Sequence, residues 1–327
     1  MTKPMRELLS ALSLAFLLLA ANSAGQVLAA EPDQPQLAVM APLATKAPLV
    51  SAVRAGTRLV AVGDYGVVLL SDDQGRRWRQ AQSVATRSML TGVWFVDDNI
   101  GWAVGHGGVV LQSIDGGENW RLQHNAGIDT ALLSVLFADA RHGIAVGSFG
   151  RAIETKDSGK TWNELVIARG EDSDRHLNHI FRGADATVFV VAESGTVFRS
   201  RDTGRTWTTL KPPYKGSFWH GTTLNDGAIL IVGMRGNAFR SEDGGNTWRR
   251  LDTGTSQSLA DVEQLADGRV MAVGASGTVL TSTDKGRSFA GSMREGRQNL
   301  AAVLGNADGQ VVFFCQAGVM LETGGRP

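Results

Sequence analysis

One motif returns along the chain at an almost constant period and limits the possible folds more than any other feature. It first reads Ser71-Asp72-Asp73-Gln74-Gly75-Arg76-Arg77-Trp78. It comes back at Ser113–Trp120, Thr155–Trp162, Ser200–Trp207, Ser241–Trp248 and Ser282–Phe289, in steps of 42, 42, 45, 41 and 41 residues. The shared pattern is Ser/Thr-x-Asp-x-Gly-x-x-Trp/Phe. Its fixed members are Asp73 and Trp78, Asp115 and Trp120, Asp157 and Trp162, Asp202 and Trp207, Asp243 and Trp248, and Asp284 and Phe289. Eight and five positions before each copy stand a small residue and a glycine: Gly63/Gly66, Gly105/Gly108, Gly147/Gly150, Ala192/Gly195, Gly233/Gly236 and Gly274/Gly277. A seventh pair, Cys315/Gly318, leads to Thr323 in the Ser slot. The chain therefore holds seven repeats, the last one short.

Each repeat divides into short apolar runs. In the second, Leu90–Val96 and Trp102–Gly105 flank the turn Asp97-Asp98-Asn99, Val109–Ser113 follows a glycine-bounded turn, and Trp120–Gln123 follows the Asp-bearing one. Four short strands, A to D, in ~42 residues describe a propeller blade, and the apolar spacing of 3.6 that helical repeats need is absent. The expected fold is all-β, a seven-bladed β-propeller of four-stranded blades. The seventh repeat lacks a D strand, and Gln36–Ala41 (QLAVMA) is expected to supply it, closing the ring so that no edge is left open.

The first thirty residues read differently. Lys3 and Arg6 precede the uncharged run Leu8–Ala21, and small residues lead to Val27-Leu28-Ala29-Ala30 before Glu31. A basic start, a short apolar run and a small-residue site describe a secretory signal, too short to span a bilayer. Residues 1–30 are thus expected to be removed, leaving 31–327 as one exported propeller domain. No cysteine lies near the cleavage site, so a lipoprotein anchor is excluded.

Composition narrows the function. Lys and Arg total 32 and so do Asp and Glu, whereas a nucleic-acid binder shows a basic excess. The 40 glycines suit a fold built of tight turns. The single cysteine, Cys315, sits in an apolar strand and excludes a disulfide framework. Six histidines without metal-ligand spacing predict no metal site, and no cofactor is expected. His176 and His179 lie near a strand A with no carboxylate partner set by a motif. No nucleophile elbow or phosphate loop is present.

The repeated Asp is expected to accept hydrogen bonds within its turn, and the aromatic residue to pack between blades, so both are assigned to structure. These C–D turns fill one face with the A–B turns. Binding is expected on the opposite face, where the B–C turns differ between blades: Asp64-Tyr65, His106-Gly107, Ser148-Phe149, Glu193-Ser194, Met234-Arg235, Ala275-Ser276 and Gln316-Ala317. The D–A links add Arg87, Arg175, His176, Lys215 and Arg297. Arg151 follows Gly150, where five of the other six repeats have Val or Thr. Arginine outnumbers lysine 25 to 7, which favours contacts of defined geometry over a diffuse basic field. The candidate partner-binding set is therefore Asp64, Tyr65, Arg87, His106, Phe149, Arg151, Arg175, His176, Glu193, Lys215, Arg235 and Arg297.

The motif resembles the Asp-box, or bacterial neuraminidase repeat, a folding element in the proteins that carry it. Sialidases share that repeat, and Tyr65 with Glu193 and Arg235 on one face keeps an exported glycoside hydrolase, or a carbohydrate-binding propeller, as an alternative. The blade Gly105–Trp120 more closely resembles that of the photosystem II stability/assembly factor family, and the resemblance runs over about residues 36–327. It implies a non-enzymatic, chaperone-like protein of the photosynthesis apparatus that binds a membrane protein subunit through an arginine-bearing face. By position Arg87, Arg151, Arg175, Arg235 and Arg297 are the residues it would use. In a non-photosynthetic bacterium the client would be an envelope complex, and the chain is expected to act as a monomer.

Overall fold

The structure is a computed structural model that describes residues 36–322; the expected export signal lies outside the described residues. Seven antiparallel sheets follow one another along the chain. The innermost strands are Leu49–Ala55, Leu90–Phe95, Leu132–Phe137, Leu177–Arg182, Phe218–Thr223, Leu259–Gln264 and Leu300–Gly305. Each abuts the next and the seventh abuts the first, so the sheets are the blades of a closed ring around a central channel. Five sheets have four strands, and the second gains a fifth because Ser83–Val84 of the preceding link pairs in parallel with its outer strand.

The paired small residues of the sequence are explained by two close approaches. In the first slot the backbone is extended, and a Cβ on Gly63 or Gly147 would lie 2.0 Å from the carbonyl oxygen of Pro48 or Ala131. In the second slot φ is positive, and a Cβ on Gly150 or Gly195 would lie 1.8 Å from the carbonyl of Ser173 or Tyr214. The B–C turn is thus held between the link that enters its blade and the link that leaves it. Cys315, fully buried, occupies the first slot of blade seven.

Ring closure differs from the expectation. The seventh sheet has three strands among the described residues, Leu300–Gly305, Val311–Cys315 and Gly318–Glu322. Gln36–Ala41 forms no strand beside them: the Ala38 amide donates to Val84 O, in the link between blades one and two, at 2.9 Å, and the Gln80 side chain of blade one bonds both Val39 and Ala41. The following segment instead acts as the seventh D–A link. Its turn Ala44–Lys46 brings Thr45 O to 1.9 Å from where a Gly318 Cβ would be. The first and last blades then join through one apolar cluster that includes Leu49, Leu59 and Leu69 with Leu304, Val312 and Phe314. Asn306 Nδ2 donates to Gln74 O at 2.9 Å across the same seam. Apolar packing stabilises the closure where strand pairing was expected.

Candidate functional site: the turn face and the central channel

The Asp-bearing turns form one face and behave as the sequence predicts. In each, the Asp accepts from the Ser or Thr two positions before it and from the backbone N–H four positions after it, as in Ser241 Oγ–Asp243 at 2.8 Å and Thr247 N–Asp243 at 2.9 Å. Those bonds, led by the residue four positions on, hold Asp73, Asp157, Asp202 and Asp243 at about 2. Trp78, Trp120 and Trp207 donate Nε1 to the glycine carbonyl of their own turn at 3.0, 2.8 and 3.0 Å. Part of the arginine excess belongs to this face too. Arg58, Arg199 and Arg240 donate to the carbonyls of Gly116, Gly244 and Lys285 in the next blade's turn, at 2.9, 2.6 and 3.2 Å.

On the opposite face the second B–C turn residue is left-handed in six blades: Tyr65, Gly107, Phe149, Ser194, Arg235 and Ser276. Bulky residues are uncommon there, yet Tyr65 and Phe149 occupy the position while 73% and 72% exposed. Blades three and four bring several expected residues together. Phe149 packs edge-on against His176 at 4.6 Å, and the His176 amide donates to Glu193 at 3.1 Å. Arg175 donates to Ser194 Oγ at 2.8 Å and lies 3.4 Å from Asp172, which also holds Lys211 at 2.8 Å. The remaining residues are spread around the ring. Asp64 opens the first turn, Arg87 donates to Leu37 O at 2.9 Å, and His106 is exposed. Arg151 pairs with Glu164 at 2.9 Å on its own blade. Lys215, Arg235 and Arg297 are exposed without an ion pair among the described residues. The links also carry Asp129, Glu171, Asp174, Asp252 and Glu295, so cations and carboxylates are interspersed across the face.

The channel holds a group that reading by motif missed. Every innermost strand carries a bulge just after its first residue, a device that re-aims the side chain that follows. The residues there are Ser51, Gly92, Ser134, His179, His220, Asp261 and Ala302. All seven line a cavity of about 410 Å³. The rings of His179 and His220 stack at 3.6 Å, and His220 Nδ1 stands 3.2 Å from Asp261 Oδ1. Asp261 Oδ2 accepts from the Val303 amide at 2.8 Å. Burial drives His220 down to about 3 and His179 well below the usual imidazole value, and lifts Asp261 to about 6. Glu263, two residues on and facing the same way, is raised well above the carboxylate range by burial and by the Asp261 charge, with Arg54 opposing. The partners of His179 come from the next blades, which explains why no local spacing revealed them. Comparing one column across the seven repeats is the signal that exposes them. Among the described residues no group of His, Cys, Asp and Glu is arranged to hold a metal.

With that geometry in place, the relatives can be set beside it. The family described as Photosynthesis system II assembly factor YCF48 matches residues 117–323, more than half of the chain. The chain belongs to the YCF48 family. No curated protein matches it in sequence. A solved structure of YCF48 bound to D1 peptide is 19% identical and superposes with a TM-score of 0.69 over 89% of this chain and 97% of that one. YCF48 from Cyanidioschyzon merolae is 18% identical, with a TM-score of 0.66 over 88% and 97%. A GH74 xyloglucanase from Xanthomonas campestris is 13% identical, with a TM-score of 0.67 over 87% of this chain and 53% of that one. At such identities the likeness is one of fold, so the enzyme and the YCF48 structures alike confirm the seven-bladed ring. No helix among the described residues is long and apolar enough to cross a membrane.

Proposed function

We propose that the chain is an exported, non-enzymatic member of the YCF48 family. Its B–C/D–A face binds a protein partner and helps a membrane protein complex to assemble or persist. Family membership supports an assembly role, and one YCF48 structure is bound to a D1 peptide. The observation that carries the reading is the contrast between clamped glycines and exposed bulky tips on that face. Folding alone favours glycine at left-handed tips, as at Gly107, while Tyr65, Phe149 and Arg235 stand there instead. Such tips are available to a partner without disturbing the blades.

Exposed Arg235 and Arg297 make the cleaner probes, because Arg175 is already tied to Ser194 and Asp172. Crosslinked pull-downs from membranes should recover a defined partner, and Arg235→Glu with Arg297→Glu should reduce its recovery at least tenfold without changing the melting temperature. Equal recovery from the variant would remove this surface from consideration. The glycoside hydrolase alternative needs Tyr65, Glu193 and Arg235 to act together. They lie on blades one, four and five, and no hydrogen bond or ion pair joins them among the described residues.

A further inference from the structure

We propose that the central channel binds a small organic cation, its ammonium or guanidinium group held by the carboxyl groups of Asp261 and Glu263 beside the stacked imidazoles of His179 and His220. The site lies in the channel on residues outside the partner-binding set and does not depend on that reading. Four observations carry it.

The cavity, about 410 Å³, is of the size that encloses small ligands. Its walls are unlike one another: blades four to six contribute His179, His220, Asp261 and Glu263, while Ser51, Gly92, Ser134 and Ala302 leave room opposite. No lysine or arginine forms an ion pair with either acid among the described residues. Glu263 makes no ion pair or hydrogen bond among the described residues, and Asp261, 7% exposed, accepts from the Val303 amide with one oxygen while the other faces the neutral His220 ring at 3.2 Å. The arginines of the surrounding strands direct their hydrogen bonds elsewhere, Arg54 to the carbonyl of Gly305 and Arg182 to those of Phe137 and Ala138, and the Arg54 charge offsets the burial of Glu263 only in part. Finally, Nδ1 of His179 and of His220 makes no hydrogen bond, and Trp94 and Trp219 line the same space.

Two neighbouring acids in a confined space with no cation paired to them are costly to ionise. A bound ammonium or guanidinium removes that cost, donates hydrogen bonds to the unused carboxylate lone pairs, and gains from the aromatic side chains beside it. An anion would meet the same acids and is disfavoured. The charged and titratable side chains of the seven innermost strands are Arg54, His179, Arg182, His220, Asp261 and Glu263. Burial lowers both imidazoles, His220 to about 3, so the acids govern the pH response between pH 5 and 8.

The test is calorimetric titration of the full chain with n-butylammonium and with guanidinium, n-butanol serving as the uncharged control. Saturable one-site binding of at least one cation is expected at pH 8, with at least tenfold weaker binding at pH 5 and none of butanol. Asp261→Asn with Glu263→Gln should weaken it at least tenfold while the melting temperature stays the same or rises. Should the double variant fail to fold, Glu263→Gln alone is measured for the same loss, alongside the cation-dependent rise in melting temperature of the unaltered protein. Binding undiminished by the substitutions, or no binding of either cation, would overturn the proposal. Partner recovery should be unchanged in the channel variants, so the two readings fail separately.

Discussion

Asp243 and Asp261 are the same residue in the same ring, and the protein uses them in opposite ways. Asp243 sits in a repeated surface turn, where bonds from Thr247 and Ser241 favour its charge and hold it at about 2. Asp261 sits in the channel, where burial outweighs the Val303 and Val262 amides and lifts it to about 6. The first carboxylate recurs in six blades, since each C–D turn needs it. The second stands in a column otherwise filled by serine, glycine, alanine or histidine. Repetition therefore marks what the fold requires, and departure from repetition marks what it leaves free for another purpose.

Aromatic residues offer the largest test of this contrast. Trp120, 1% exposed, packs edge-on against Phe95 at 5.8 Å and donates to Gly117 O. Trp120→Ala should cost about 3–5 kcal/mol in urea unfolding, the usual range for a buried aromatic. Phe149 belongs to the other class at 72% exposure, and Phe149→Ala should stay within about 0.5 kcal/mol while weakening partner recovery. A similar loss of stability at both positions would erase the distinction between the faces.

The two carboxylate classes should also give opposite slopes against pH. The turn aspartates have lowered values, so the stability they add is present above about pH 4 and lost as pH falls toward 2. Asp261 has a raised value, so it costs nothing below about pH 4 and destabilises progressively as pH rises through 6. Its share is on the order of 2–3 kcal/mol. Asp261→Asn keeps an oxygen for the Val303 amide and should flatten the decline between pH 4 and 6, leaving the acid limb unchanged. Chemical denaturation across that range reads both limbs, and an unaltered decline in the variant would show that Asp261 is not its source.

These differences also separate what the sequence disclosed from what it did not. The blades, their turns and the structural role of Asp73 through Phe289 were legible because each rests on contacts within about a dozen residues, repeated often enough to be unmistakable. Ring closure was misread because it depends on where residues 36–48 lie relative to a blade more than 250 positions away, as where Thr45 O closes on Gly318; Arg54 to Gly305 and Asn306 to Gln74 bridge the same seam. His179, His220 and Asp261 went unnoticed together for the same reason, since they meet only through the curvature of the ring. The arginine count was half informative. Arg58, Arg199 and Arg240 serve the seams between blades, whereas Arg235 and Arg297 reach solvent.

The smallest expected effects come from adjacent residues of one turn, and there the contrast can be drawn most finely. Tyr65 and Gly66 both have positive φ, at 56° and 70°. The Tyr65 side chain points to solvent, so Tyr65→Gly relieves a left-handed cost of roughly 1–2 kcal/mol while adding about 0.5–1 kcal/mol of chain entropy to lose. Its net effect should be a gain of no more than about 1.5 kcal/mol, accompanied by weaker partner recovery. Gly66 faces the chain, and a Cβ there would lie 2.2 Å from the Thr86 carbonyl oxygen. Gly66→Ala should therefore lose more than about 1 kcal/mol. Opposite signs at neighbouring positions, read from urea midpoints at constant slope, would show that the turn is held by its glycine and that the tyrosine is retained for contact. A loss at both would mean that Tyr65 is part of the frame after all, and the boundary between frame and contact surface would move outward by one residue.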